Sequence, residues 1–141
     1  MKTVVVSSLR QLEGCSQKQL DELFAKGSAR NFPDGGTDGV VLLQPFFVKK
    51  FGELVWKGKS FDAKKGELSN RIAGLRLIRG KLRKGRSLFD SEPCIVIDYR
   101  TTSFVASNVI DELREVGKGV FLGRAYRNGV FFANFALKER E

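Results

Sequence analysis

The chain of 141 residues has no histidine, only two cysteines and only three prolines. Without histidine it lacks the side chain most used for general acid–base catalysis near neutral pH, which is also the commonest metal ligand. Cys15 and Cys94 lie far apart and form no Cys-x-x-Cys pair. The sequence also lacks a phosphate-binding loop, a dinucleotide fingerprint and a nucleophile elbow. It therefore predicts neither a metal site nor a cofactor.

Long apolar runs are absent as well. The first residues, Met1 to Val6, contain too short an apolar run for a signal peptide and no small-residue cleavage pattern. No stretch approaches the roughly 20 apolar residues that span a bilayer. We therefore expect a cytoplasmic protein with reduced thiols and no transmembrane segment, in which Cys94 is a small buried hydrophobe.

What the chain has in excess is positive charge and phenylalanine. The formal net charge is +9, and 12 residues are Phe. Charge of this sign attracts nucleic acid, acidic lipid headgroups or an anionic small molecule. The hydrophobic content of 42% and the charged content of 29% are those of an ordinary globular protein, and the length suits one domain.

The chain divides into two parts within that domain. Residues 1–53 are predicted to form a helical cap and linker that pack on the rest, residues 54–141. A capping box at Ser16 predicts a helix that ends at Gly27, which is too short to be stable alone. The short apolar run from Val40 to Leu43 predicts a strand, and a second, amphipathic helix is expected from Pro45 to Leu54.

From residue 55 the apolar period changes toward two, which is typical of strands. Asn128-Gly129 is the strongest hairpin signal, because both residues tolerate the positive φ of a two-residue turn. Several predicted strands are apolar on both faces, so something must cover the second face, and barrel closure would also remove exposed edges. The sequence therefore predicts a mainly β protein, an antiparallel β-barrel with short N-terminal helices. The predicted strands are 55–61, 67–72, 75–82, 94–100, 104–107, 109–116, 120–126 and 130–138.

Two motifs strengthen the barrel prediction. Trp56 to Phe61 reads Trp-Lys-Gly-Lys-Ser-Phe, and Asp111 to Val116 reads Asp-Glu-Leu-Arg-Glu-Val. Their order resembles an uncharacterised family of small bacterial proteins with Trp-x-Gly-Lys-x-Phe early and Asp-Glu-aliphatic-Arg-Glu-Val late. The resemblance covers residues 54–137 and implies that the predicted barrel is lipocalin-like (calycin-type), with no settled activity. Ser91 stands where the family usually has a turn glycine, and Gly117-Lys118-Gly119 replaces a more usual Ala-Pro-Gly.

The first functional hypothesis is a small-molecule ligand inside the barrel, because small barrels are either filled by side chains or hold one small ligand. The Phe content and the basic excess favour an apolar or amphipathic ligand, including an anionic one. Arg79 and Lys81 would bind a carboxylate if their face of the strand 75–82 turns inward; the alternative is that they face water. By analogy with lipocalins, Trp56 is expected to close one mouth under Arg124 or Arg140. The predicted ligand-binding residues are Trp56, Lys59, Arg79, Lys81, Asp98, Tyr99, Glu112, Arg114, Arg124, Phe132 and Asn134.

A second hypothesis uses the same cavity for catalysis. Glu112 with Arg114, or Asp98 with Tyr99, would polarise a carbonyl and shuttle a proton, as in isomerases and cyclases. The alternative is a structural ion pair between neighbouring strands, since such networks also perturb pKa values. Whether the protein is an enzyme is left open.

A third hypothesis is nucleic-acid binding by the basic run from Arg76 to Arg86, which holds six cations in eleven residues. The run lacks interleaved aromatic residues, and a solvated hairpin would explain it equally. Nucleic acid is therefore a less favoured partner than a small ligand. A homodimer is also left open.

Overall fold

The computed structural model describes residues 6–42, 56–72, 75–102 and 107–140, with the backbone alone at 56, 57, 72 and 75–77. Two short helices precede eight strands, so the protein is mainly β, as predicted. The helices are α1 (Leu9–Glu13) and α2 (Gln17–Lys26). The strands are β1 (Gly35–Val41), β2 (Trp56–Asp62), β3 (Glu67–Ile72), β4 (Leu75–Arg86), β5 (Pro93–Asp98), β6 (Val109–Gly117), β7 (Val120–Arg127) and β8 (Val130–Glu139).

The eight strands form a closed antiparallel barrel. Each strand pairs with the next in the chain, and β8 pairs with β1. Closure leaves no free edge among the described strands, which is the arrangement of up-and-down barrels. Asn128 and Gly129 have φ values of 51° and 79° between β7 and β8, which confirms the predicted two-residue turn.

The junction between β1 and β2 is built differently from the others. Five residue pairs join β1 to β8, but only two, Gly35 with Phe61 and Gly36 with Ser60, join it to β2. Beyond them the Thr37 hydroxyl donates to the Lys59 carbonyl at 2.7 Å and accepts from the Lys59 N–H at 3.1 Å. A Cβ at Gly58, whose φ is 130°, would lie 2.4 Å from the Thr37 carbonyl oxygen, so this close approach requires glycine.

The two helices cover part of the outer wall of the barrel. Capping boxes at Ser8 and Ser16 start them, and the second confirms the predicted helix start. Leu20 and Phe24 of α2 are fully buried, because the apolar face of a ten-residue helix must lie against something. The cluster beneath the helices combines Val6, Leu12, Leu20 and Phe24 with Val120, Leu122 and Ala136 of the wall.

The main hydrophobic core lies inside the barrel. Alternate residues along each strand point inward, so Ile95, Ile97 and then Tyr99 enter the core from β5 and its end, as their spacing predicts. The buried members of this core are Phe61, Leu68, Leu82, Ile95, Ile97, Tyr99, Val109, Leu113, Phe121, Ala125, Ala133, Phe135 and Leu137. In the described part of the interior these side chains pack on one another.

Strand β1 lies within the segment that the sequence assigned to the cap and linker. The predicted strand 40–43 contributes Val40 and Val41 to it, and the structure adds the preceding stretch from Gly35 to Gly39, whose Gly-Gly-Thr-Asp-Gly sequence is typical of a turn. The helix expected from Pro45 to Leu54 lies outside the described residues, as does the strand predicted over 104–107 apart from Ser107. No helix in the described ranges is long and apolar enough to cross a membrane. Both cysteines are free thiols.

Candidate ligand site inside the barrel

Four polar side chains meet inside the otherwise apolar barrel: Lys59, Asn70, Tyr99 and Asp111, here called the inner cluster. The Lys59 ammonium lies 3.2 Å from Asp111 Oδ2 and donates to Asn70 Oδ1 at 2.6 Å and to the Tyr99 hydroxyl at 2.5 Å. Tyr99 in turn donates to Asp111 Oδ2 at 3.1 Å, and Asn70 Nδ2 donates to the Tyr99 oxygen at 3.0 Å. One hydroxyl therefore links a cation, a carboxylate and an amide.

The strands fix the inner cluster through register. Lys59 on β2 stands opposite Asn70 on β3, and Asp111 on β6 stands opposite Ile97 on β5. The Tyr99 ring fits because the facing residue on β4 is Gly80, where a Cβ would lie 2.8 Å from the ring. The site thus depends on a glycine on one strand and a tyrosine at the end of the next.

Burial dominates the electrostatics of the inner cluster. Lys59 is 3% exposed and Asp111 is 4% exposed. Burial lowers the pKa of Lys59, and the Asp111 carboxylate opposes that shift. Burial raises the pKa of Asp111 against the opposing charge of Lys59, and burial with the Asp111 charge raises the pKa of Tyr99 well above its usual value. Tyr99 is therefore a protonated hydrogen-bond donor at neutral pH.

Apolar side chains surround the inner cluster. The Lys59 nitrogen lies 5.1 Å from the centroid of the Phe135 ring, within range of a cation–π contact. Asp111 stands opposite Ala125, and Ala125 stands opposite Ala133. These alanines are the smallest side chains of the buried core, so the wall beside Asp111 carries little bulk.

Arg79 and Lys81 do not belong to this site. The structure places both on the exposed outer face of β4, because the inward positions of that strand are Ile78, Gly80 and Leu82. The prediction that they grip a ligand inside the barrel is wrong, and the alternative that they face water is correct. The physical reason is the free-energy cost of burying an unpaired charge, which favours the solvent-exposed face for both cations.

Asp98 also points outward, so it cannot act together with Tyr99. Its carboxylate binds Arg100 at 2.7 Å and lies 3.6 Å from Arg83. The hydrogen bonds from Arg100, against the opposing effect of burial, lower the pKa of Asp98 to about 2. Since consecutive strand residues face opposite sides, Asp98 and Tyr99 are separated by the barrel wall.

Glu112 and Arg114 lie outside the barrel wall but are fully buried. Glu112 accepts from the Ser87 hydroxyl at 2.6 Å and from the Leu88 N–H at 2.6 Å. Arg114 binds both oxygens of Asp90, at 2.7 and 2.8 Å, and donates to the Phe24 carbonyl at 3.0 Å. The predicted cavity pair is therefore wrong: the two do not pair with each other, and neither faces the interior.

Arg124 and Asn134 complete this outer network, which we define as Glu112, Arg114, Arg124 and Asn134 with their partners. Arg124 binds Asp21 of α2 at 2.7 Å and lies 4.3 Å from the Phe89 ring centroid. Asn134 accepts from Gln17 of α2 at 2.7 Å. Both were predicted to contact an interior ligand and instead hold α2 on the outer wall.

The last two predicted contacts have different outcomes. Phe132 packs against the interior core, because a register shift between Ala125 and Tyr126 turns it inward. The side chain of Trp56 lies outside the described part of the chain, so its role at the barrel mouth stays a prediction. Of the predicted ligand-binding residues, the structure brings Lys59 and Tyr99 together inside and places Phe132 on the same core.

Sequence reasoning gave Asp111 no role in ligand binding or catalysis and did not select Asn70. The signal for Asp111 was its shared face with Leu113, because a carboxylate on an inward apolar face must find a partner. Asn70 carries no comparable signal, since its role follows from the register between β2 and β3. Among the described residues no group of three cysteine or carboxylate side chains is placed to hold a metal ion.

Comparisons with known proteins support the fold. No family model and no curated protein matches the chain. A crystal structure of a protein from Thermomonospora curvata is similar, with a TM-score of 0.69 at 16% identity over 94% of this chain and 93% of that one. At this identity the likeness concerns the barrel architecture alone.

Proposed function

We propose that the protein binds a small apolar molecule through a polar head that contacts the inner cluster. The observation that carries the proposal is a buried Lys59–Tyr99–Asp111 set at the centre of an apolar barrel. A buried ion pair contributes little net stability, because desolvation offsets the attraction between the charges. The fold alone gives no reason to keep this set, whereas a polar ligand head does.

The charge of the inner cluster indicates which head group fits. Lys59 and Asp111 neutralise each other, so a carboxylate head would add an unpaired negative charge beside Asp111. A carbonyl or hydroxyl adds no charge, accepts from Lys59 or Tyr99 and donates to Asp111 where it carries a proton. We therefore favour a neutral carbonyl or hydroxyl head on an apolar body over the free acid.

The test compares matched ligands of one chain length, such as decanal, decanol, decanamide and decanoate, by native mass spectrometry and thermal shift. We expect a one-to-one adduct with the neutral compounds and a higher Tm. Tyr99→Phe should weaken binding roughly tenfold, since it removes one buried hydrogen bond.

The matched control is Tyr126→Phe, because Tyr126 is the other tyrosine of the chain and also buries a hydrogen-bonded hydroxyl, but outside the barrel. It should leave the affinity unchanged. If no member of the series binds, or if both tyrosine variants lose affinity equally, the proposal is wrong.

A second candidate function is enzymatic, and the hydrogen bond between Tyr99 and Asp111 favours it. In this version Asp111 removes a proton from the carbon next to the ligand carbonyl, while Tyr99 donates a proton to the carbonyl oxygen. The cation of Lys59 stabilises the negative charge that develops there. The reaction class is isomerisation through an enol.

Deuterium exchange tests this version directly. In D2O the bound aldehyde should gain deuterium next to its carbonyl, and Asp111→Asn should abolish that exchange. Glu112→Gln, a buried carboxylate of the outer network, should lower stability and leave exchange unchanged. Binding without exchange would leave the binding function in place and eliminate the enzymatic one.

A further inference from the structure

A polar groove of about 840 Å³ is lined by residues of β2, β3 and β4. Ser60, Ser69 and Arg79 face it from the outer side of the wall, because the residues next to them on their strands, Phe61, Leu68 and Ile78, pack in the interior. Register places Ser60 on β2 opposite Ser69 on β3, and Ser69 opposite Arg79 on β4. Directly opposed residues of antiparallel strands have Cβ atoms about 5 Å apart. Three hydrogen-bond donors therefore form one row across three strands.

The cations of this groove differ in their partners. Arg140 binds the Asp38 carboxylate at 2.9 Å, and the same carboxylate lies 4.0 Å from Arg71. Arg79 and Lys81 form no ion pair with any residue in the described ranges, although both line the groove. Their charge is therefore available to a ligand.

The hydroxyls of Ser60 and Ser69 are available in the same sense, because neither makes a hydrogen bond to another described residue. Acidic groups stand one row away, where Lys81 lies between Glu67 on β3 and Asp98 on β5. The lining carries five cations and three acids, namely Lys65, Arg71, Arg79, Lys81 and Arg140 against Asp34, Asp62 and Glu67. The groove therefore has a positive excess, and the row of the two serines ends at Arg79.

We propose that this outer groove binds the phosphate group of an anionic ligand. Arg79 presents a planar fork of donors that matches two phosphate oxygens, the two serine hydroxyls donate to the same group, and Lys81 adds a point charge. The net charge of +9 would draw such a ligand to the surface. The phosphate belongs either to a free nucleotide or to a single-stranded nucleic acid, and the site is independent of the function proposed for the interior.

The experiment uses three probes on the full chain: inorganic phosphate, uridine monophosphate and a fluorescein-labelled oligouridine of twelve nucleotides. Calorimetry measures the first two, and fluorescence anisotropy across a salt series measures the third. Arg79→Gln should weaken binding about tenfold, the effect of losing a charged hydrogen-bond donor. With the oligonucleotide it should also reduce the slope of log K against log salt by about 0.7.

The matched control is Lys18→Gln, which removes the same charge from an exposed position on α2. Binding of the monophosphate as tight as that of the oligonucleotide would assign a free phosphate compound, and binding of the oligonucleotide alone would assign nucleic acid. The proposal is overturned if none of the probes binds, or if Lys18→Gln weakens binding as much as Arg79→Gln does.

Discussion

The inner cluster and the outer network are both buried, charged and hydrogen-bonded, yet they connect different things. The inner cluster joins β2, β3, β5 and β6, which the barrel already holds in place through backbone pairing. The outer network joins the wall to α2 and to the 87–92 segment, neither of which belongs to the sheet. The fold therefore requires the outer network, which attaches these two segments, whereas it only accommodates the inner cluster.

Chemical composition follows the same division. The outer network uses arginine, whose donors reach a carboxylate and the backbone carbonyls of Phe24, Glu92 and Pro93 at once. The inner cluster uses lysine, a compact charge whose pKa shifts readily on burial. Arginine suits fixed attachment, and lysine suits a site that exchanges partners.

Charge deletion in the inner cluster should give the largest effect. Lys59→Met leaves the Asp111 carboxylate buried without its cation, so we expect a loss of about 3–5 kcal/mol in the free energy of unfolding. The double variant Lys59→Met, Asp111→Leu should recover most of that loss, because two apolar side chains replace the pair. Urea denaturation measures both. A double variant as unstable as the single one would show that the inner cluster is structural.

The corresponding change in the outer network should not be recovered. Arg114→Leu should cost about 3 kcal/mol, because Asp90 and several backbone carbonyls lose their donor. Adding Asp90→Leu removes the carboxylate but leaves the carbonyls unsatisfied, so the double variant should stay close to the single one. Arg86→Leu, on an exposed arginine of β4, is the control for loss of charge. Full recovery in the double variant would remove the distinction between the two regions.

The surface ion pair of Asp98 with Arg100 should contribute less to the free energy of unfolding, and its contribution should disappear in acid. The pKa of Asp98 is about 2 in the folded state and about 3.9 in an unfolded chain, so folding favours its ionised form. The stabilisation is fully present above the unfolded pKa and is lost as pH falls through about 2. Asp98→Asn should therefore lower the free energy of unfolding by about 1 kcal/mol at pH 6 and by less at pH 2. The value at pH 6 is small because Arg100 is half exposed and solvent screens the pair. Equal losses at both pH values would contradict this account.

The smallest expected effect is a gain at Ser91, in the segment that the outer network holds. Ser91 has a φ of 64°, a conformation that glycine adopts without the cost of a Cβ. Ser91→Gly should raise the free energy of unfolding by about 0.5–1 kcal/mol after the extra entropy of the unfolded chain is subtracted. Ser91→Ala, which keeps the Cβ, should show no gain. Stabilisation by both variants would assign the effect to the hydroxyl.

Much of the barrel could be predicted because strand period and turn chemistry are local properties. The alternation of Ile95, Ile97 and Tyr99 predicts the inward face of β5, and Asn128-Gly129 predicts the last hairpin. The wrong assignment of Asn134 arises from strand facing: it shares an apparent face with Phe132 in sequence, but the register shift at Tyr126 turns only Phe132 inward. A bulge of one residue leaves no mark in the apolar pattern.

The candidate site was less predictable because its partners are distant in sequence. Lys59 and Asp111 meet only after the barrel closes, and Glu112 and Arg114 find their partners in the 87–92 segment and in α2. Two polar residues that are two apart on one strand indicate a mutual pair, yet here each binds elsewhere. Only the end of strand β1 was predicted, because the glycines that precede Val40 are typical of a turn.

The sparse junction of β1 with β2 makes this part of the barrel the first place where we expect the wall to open locally. With two backbone pairs it is the least extensively bonded neighbour contact among the described strands, and the Thr37 hydroxyl carries much of the remaining attachment. Amide protons along this seam should exchange with deuterated solvent sooner than those between β7 and β8. Because Lys59 lies on the seam itself, a brief parting of these two strands would open a lateral path to its ammonium group without unfolding the rest of the wall.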